Sequence, residues 1–105
     1  MAREKKWQFL IDVDALEPGD ATCVEFGTRE LVVFDGIDGI RVSFARCTHG
    51  AANLCDGYFD GHRIECPLHQ GLFDARTGKA LSAPARVPLR LIESKVENDQ
   101  VLIFI

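Results

Sequence analysis

Apolar residues recur along this chain in short runs, most of them closed by glycine, proline, asparagine or aspartate. That spacing predicts many short strands joined by tight turns, hence an all-β sandwich or barrel. Trp7 to Ile11 reads as the first strand, with one helical turn at Asp14-Ala15-Leu16-Glu17 and a turn at Pro18-Gly19-Asp20. Thr22 to Phe26 alternates in part, as a half-buried strand does. Gly27-Thr28 turns the chain into Glu30 to Phe34. Asp35-Gly36 and Asp38-Gly39 then bracket a tight hairpin. Its returning strand, Ile40 to Ala45, places Ile40, Val42 and Phe44 on one face.

The second half follows the same rule with shorter runs. Ala51 to Tyr58 reads as loop, and Asp60-Gly61 turns Tyr58-Phe59 into a strand from His62 to Glu65. Leu72-Phe73-Asp74 returns, Thr77-Gly78-Lys79 turns again, and Ser82-Ala83-Pro84-Ala85 is a small-residue loop. A final hairpin joins Leu89 to Glu97 with Val101 to Ile105 around Asn98-Asp99. No amphipathic helix, low-complexity tract or long repeat is visible.

Bulk properties narrow the function classes. A chain of 105 residues makes one domain, 1–105, with a modest core. Sixteen acidic against twelve basic side chains leave a net charge of −4. That balance argues against nucleic acid, whose phosphates need clustered cations, and permits docking to a basic protein surface. The charged start, Met1 to Lys6, has no apolar run behind it and so does not read as a secretory signal. No stretch approaches the ~20 apolar residues of a membrane helix. A soluble cytoplasmic protein is the expectation.

Two stretches remain that strand patterning does not explain. Cys47-Thr48-His49-Gly50 and Cys66-Pro67-Leu68-His69-Gln70-Gly71 spell C-x-H, sixteen residues, then C-x-x-H. Each offers one thiolate and one imidazole and ends near a glycine that lets backbone come close. Two ligands of each kind suit a metal centre with a hard side and a soft side. They also make a sufficient tetrahedral zinc set, although C-x-H is tighter than zinc-finger spacing. A disulfide framework among Cys23, Cys47, Cys55 and Cys66 is disfavoured, because two of the four sit beside histidines and nothing points to secretion.

The two boxes, together with the flanking Glu65-Cys66-Pro67-Leu68-His69-Gln70-Gly71-x-Phe73-Asp74 and Thr77-Gly78-Lys79-Ala80-Leu81-x-Ala83-Pro84, resemble the ligand boxes of Rieske [2Fe-2S] proteins. In such centres two histidines replace two cysteines on one iron. The string is most similar to the small Rieske ferredoxins of bacterial aromatic-ring dioxygenase systems. The resemblance implies one [2Fe-2S] cluster, with Cys47 and Cys66 on the inner iron and His49 and His69 on the outer one. It implies a cluster-binding lobe at about residues 46–84, inserted in an antiparallel β base. Pro84 resembles the proline loop that covers the cluster, with an ordinary turn as the other reading.

The implied role is a one-electron carrier, not an enzyme. Electrons would come from a flavoprotein NAD(P)H reductase and pass to a terminal Rieske oxygenase, and a monomer is expected. The other readings are the small Rieske subunit of another oxidoreductase, such as nitrite reductase, and a structural zinc module. A complete oxygenase is excluded, because its mononuclear iron needs two further histidines and only His62 is left.

Departures from the respiratory Rieske pattern sharpen this. Ala52 and Leu68 stand where respiratory proteins carry a loop-tying disulfide, and Gly71 and Phe73 where they carry hydroxyl donors to the cluster. Fewer donors disfavour the reduced state, so the potential is expected at the low end of ~−150 to +300 mV. Cys23 reads as a strand core residue. Cys55 reads as a spare small residue, with an oxidation-sensitive thiol as the lesser reading. Asp56, Asp60, Glu65 and Asp74 read equally as a solvated acidic face or as a docking rim.

Overall fold

The computed structural model describes residues 4–37, 39–46, 52–67, 71–82 and 87–105. Among the described residues eleven strands run in chain order: β1 (Trp7–Asp12), β2 (Ala21–Phe26), β3 (Arg29–Gly36), β4 (Gly39–Phe44), β5 (Tyr58–Phe59), β6 (Arg63–Glu65), β7 (Leu72–Asp74), β8 (Ala80–Ser82), β9 (Leu91–Ile92), β10 (Ser94–Glu97) and β11 (Gln100–Phe104). They form three antiparallel sheets, β1-β11-β10, β2-β3-β4-β9 and β5-β6-β7-β8. The only helical pieces among the described residues are two 3-10 turns, Val13–Ala15 and Leu54–Asp56. The all-β expectation therefore holds.

Strand β3 organises the packing. Leu31, Val32, Val33 and Phe34 are all buried, so this run is covered on both faces. Successive side chains of a strand point to opposite faces. Leu31 and Val33 join Leu10, Leu16, Val42, Ile92, Val101 and Ile103 in one core. Val32 and Phe34 join Leu54, Phe59, Ile64, Cys66 and Phe73 in the other. The β2-β3-β4-β9 sheet is thus the middle layer. The Phe34 and Phe59 rings, 5.2 Å apart, stitch it to the small sheet.

Turns follow the local chemistry. Gly19 and Gly27 take positive φ in the first two turns, and Gly36 pairs with Gly39 at the β3–β4 hairpin. Asn98 (φ 53°) and Asp99 (φ 58°) both take left-handed backbone between β10 and β11. That is the requirement of a two-residue turn matching strand twist.

Several expectations need correction. The run from Leu89 to Glu97 is not one strand. Leu91–Ile92 pairs with β4, whereas Ser94–Glu97 pairs with β11 in another sheet. Each half buries against a different layer, so the chain changes sheet at Glu93. The early helical turn lies at Val13–Ala15, one residue ahead of the Asp14 start expected. Ala51 to Tyr58 is not plain loop, since it holds the Leu54–Asp56 turn and the start of β5. Ser82 ends β8, and the rest of the small-residue loop, Pro84 included, lies outside the described residues.

The largest correction concerns cysteine. Cys23 is exposed rather than a core residue, and it is disulfide-bonded to Cys55, with Cα atoms 5.8 Å apart. The pattern of β2 explains why: Val24 and Phe26 pack toward the core, which turns Cys23 to the opposite face. There it sits opposite Val32, the residue of β3 facing Leu54 and Cys55. Hence Cys55 is not a spare residue either.

Candidate metal centre

Of the four expected ligands, Cys66 is described; Cys47, His49 and His69 lie outside the described residues. Strand β6 delivers Cys66, because Ile64 is buried in the core and the strand ends immediately before the cysteine. Cys66 is fully buried. Its N–H donates to the carbonyl of Gly71 at 2.7 Å, which closes the neck of the second box. Beyond that neck β7 returns beside β6, pairing Ile64 with Phe73 and Glu65 with Leu72.

The first box has a neck of its own. Ala45 donates its N–H to the Glu30 carbonyl at 3.0 Å, Leu54 donates to Ala45 at 2.7 Å, and Arg46 bridges to Asn53. The chain therefore leaves β4 and returns within one residue pair of Cys47. Both necks meet in one place: Ala45 and Leu54 share the buried cluster of Cys66 and Phe73, and Ala52 packs against it. A third segment joins them, since Ser82, just before the small-residue stretch, pairs with Leu72, just after Gly71.

This setting suits an iron–sulfur group. A buried sulfur among apolar side chains is a soft, poorly hydrated donor, and thiolates are the standard protein ligands of such clusters. Phe73 is buried beside it and carries no hydroxyl to donate to a cluster.

The acidic residues separate by role. Asp60 accepts from the N–H groups of His62 at 2.9 Å and Arg63 at 2.7 Å, and pairs with the Arg63 guanidinium at 3.3 Å. Those backbone donors, that of Arg63 first, hold its carboxyl below the ordinary value of 3.8 against an opposing cost of burial, and the positive charge of Arg63 adds a lesser pull. Asp74 likewise accepts from Arg76 at 2.8 Å and Thr77 at 3.2 Å. Both shape hairpin turns. Asp56 is exposed and Glu65 half-buried. His62 is exposed and lines a cleft of about 220 Å³ with Arg41, Asp74 and Arg76.

Sequence reasoning missed Asn53 and Gly57. Asn53 accepts from the N–H of Cys55 at 2.8 Å and donates to the Glu30 carboxylate, fastening the 3-10 turn to β3. An Asn two residues before a turn residue is the local signal for such a cap. Gly57 lies where an added Cβ would run into the carbonyl oxygen of Glu65. Nothing local announces that approach.

Comparison with known proteins agrees with this geometry. The family described as Rieske [2Fe-2S] domain matches residues 6–95. The chain is 40% identical over 98 residues to the ferredoxin component of the naphthalene 1,2-dioxygenase system of Pseudomonas putida, covering 93% of this chain and 94% of that one. Among solved structures, the Sphingomonas yanoikuyae B1 ferredoxin superposes with a TM-score of 0.87 at 34% identity, covering 95% and 99% of the two chains. A chain in the complex of reduced oxygenase and oxidized ferredoxin of carbazole 1,9a-dioxygenase superposes at 0.84 and 34% identity, covering 93% and 92%. With the cysteine of its second box buried where both box necks converge, this chain belongs to the Rieske [2Fe-2S] domain family.

Proposed function

We propose that this protein is a one-electron carrier of an aromatic-ring dioxygenase system, taking electrons from a flavin-dependent NAD(P)H reductase and giving them to a terminal Rieske oxygenase. The observation that carries the reading is the convergence of both box necks on the buried Cys66. The named relatives are ferredoxin components of dioxygenase systems, and one solved relative sits in a ferredoxin–oxygenase complex, which supports an oxygenase as the partner. The chain is an electron-transfer component rather than a catalyst.

In this reading the whole chain is one domain, with residues 46–84 as a cluster-binding lobe. Cys47, His49, Cys66 and His69 hold a [2Fe-2S] cluster, the cysteines on the inner iron and the histidines on the outer. When bound, the cluster supplies a one-electron couple whose potential the imidazoles raise above that of an all-thiolate centre. The remaining work is done by the protein. The apolar packing of Phe73, Leu54 and Ala45 around Cys66 keeps water from the inner side. Each box is flanked by a short hydrogen-bonded neck, Ala45 with Leu54 at the first and Cys66 with Gly71 at the second. Among the described residues no helix is long and apolar enough to cross a membrane. A monomeric carrier in the cytoplasm completes the proposal.

The test is an EPR spectrum of anaerobically purified, dithionite-reduced protein, beside its visible spectrum. A rhombic signal with average g clearly below that of an all-cysteine [2Fe-2S] protein is expected. A colourless, EPR-silent protein with one zinc at these boxes would overturn the reading. Replacing His69 with cysteine should lower the potential, and an unchanged potential would remove His69 from the ligand set. Reduction by the reductase of a naphthalene-type system, followed by oxidation by its oxygenase, tests the partners.

A further inference from the structure

Outside the cluster boxes, one group of side chains has donor chemistry that the electron-carrier role does not use. Cys23 on β2, Glu30 on β3 and Cys55 in the 3-10 turn bring two sulfurs and a carboxylate oxygen within 4.8 Å of one another. The placement follows from register. Cys23 lies opposite Val32 and Glu25 opposite Glu30, so Cys23 and Glu30 project from the same face of the β2–β3 pair, diagonal to each other. The Leu54–Asp56 turn crosses that face and lowers Cys55 onto it.

The donors are also oriented from outside. The side chain of Asn53 donates through Nδ2 to Glu30 Oε1 and accepts through Oδ1 from the Cys55 N–H at 2.8 Å. One amide thus holds both the carboxylate and the backbone of the sulfur ligand, and leaves Glu30 Oε2 available. Such outer hydrogen bonds are what hold metal ligands in position. Cys23 and Glu30 are exposed and Cys55 is half-buried, so a water molecule can reach a fourth position.

We propose that Cys23, Cys55 and Glu30 form a second, thiol-gated site for a soft divalent cation of the zinc class, distinct from the cluster boxes. Two thiolates, one carboxylate and one water make a four-coordinate set of the kind zinc takes. The site has two exclusive states. In the oxidised state the two sulfurs are joined, as in this structure. A low-molecular-weight thiol reduces the bond: two thiol molecules become one disulfide, and Cys23 and Cys55 each gain a hydrogen. Reducing compartments keep most protein thiols in that state. The cation then displaces two protons, one from each thiol, and no electron moves in that step. Either state ties β2 to the segment whose Asn53 pairs with Arg46, next to the first box.

The experiment uses the cluster-loaded protein, reduced with dithiothreitol and freed of it without air, and titrated with ¹¹³Cd²⁺ or Zn²⁺. One ion per chain is expected, with a ¹¹³Cd resonance in the two-thiolate range and an unchanged cluster EPR signal. The disulfide form and protein blocked with N-ethylmaleimide should bind none. Asn53→Ala, which keeps all three donors, should weaken binding about 10- to 100-fold, and Glu30→Gln should weaken it at least as much. The proposal fails if reduced protein takes up no more metal than blocked protein, or if the cation removes the cluster signal instead of occupying its own site. It also fails if Glu30→Gln leaves the affinity and the resonance unchanged. Because the blocked wild-type chain serves as control, the test does not depend on a cysteine variant folding.

Discussion

The middle sheet and the small β5–β8 sheet reach order by different means. In the middle sheet β3 runs eight residues, β2 and β4 run six, and β3 is buried on both faces. Its stability comes from area removed from water, at ~25 cal/mol per Å². In the small sheet no strand exceeds three residues among the described ones. Ladders that short are weak on their own. Their shape depends on turn caps at Asp60 and Asp74, on the close passage of Gly57 behind Glu65, and on a few buried side chains around Cys66. The long-stranded sheet is a support; the short-stranded one is mostly turns, and turns on a rigid support are where binding residues concentrate in proteins generally.

The sharpest way to break that contrast is to empty each core in turn. Phe73→Ala should cost about 3–5 kcal/mol and, because Phe73 shares a cluster with Cys66, should lower iron content per chain as well. Leu31→Ala, in the core on the far side of β3, should cost about 2–5 kcal/mol with iron per folded chain unchanged. Thermal melts paired with iron analysis below both midpoints check this. Equal iron loss in the two variants would erase the distinction.

Opening the Cys23–Cys55 bond asks how firmly the two regions are tied. It closes a separation of 32 residues, for which the chain-entropy account gives about 3–4 kcal/mol. Metal-free protein should therefore unfold at lower denaturant after reduction, and a Cys23→Ser/Cys55→Ser double variant should not respond to thiol. Indistinguishable midpoints would show that the tie adds nothing.

Gly57→Ala addresses the small sheet alone. The new methyl meets the Glu65 carbonyl oxygen, a backbone atom that cannot swing away, so a loss of about 1–3 kcal/mol is expected. Wild-type stability in that variant would mean that β5 and β6 shift apart without cost.

The smallest effect belongs to Asp60. Its carboxyl is held below the ordinary value in the folded state, so its charge stabilises the fold above pH 3.8 and that contribution is lost as pH falls through the lowered folded value. The pair with Arg63 is well exposed, and Asp60→Asn should cost less than about 1 kcal/mol at neutral pH. The gap from wild type should close in acid. A gap that widens as pH falls would assign the effect to something other than this carboxylate.

Much of the architecture was legible because it obeys local rules. The Asp60-Gly61 and Asn98-Asp99 turns are spelled by residues that tolerate or require unusual backbone. The strand of Ile40, Val42 and Phe44 shows its face by alternation, and all three do border the same core. The two boxes stood out because no strand needs Cys and His at those positions. The uniform run of β3 was harder: a continuous apolar stretch says that both faces are covered but not by what.

By itself, then, the amino-acid sequence determined the strand-and-turn order, the family and the candidate ligands, since periodicity, turn chemistry and motif spacing are short-range properties. Only the tertiary structure decided which core each face of β3 enters, that the chain changes sheets at Glu93, that Gly57 must be small, and that Asp60 and Asp74 are turn caps. It also decided that Cys23 meets Cys55 beside Glu30. The physical reason is the same in each case. These contacts join residues far apart in the chain, and they depend on how sheets stack and which strand lies opposite which.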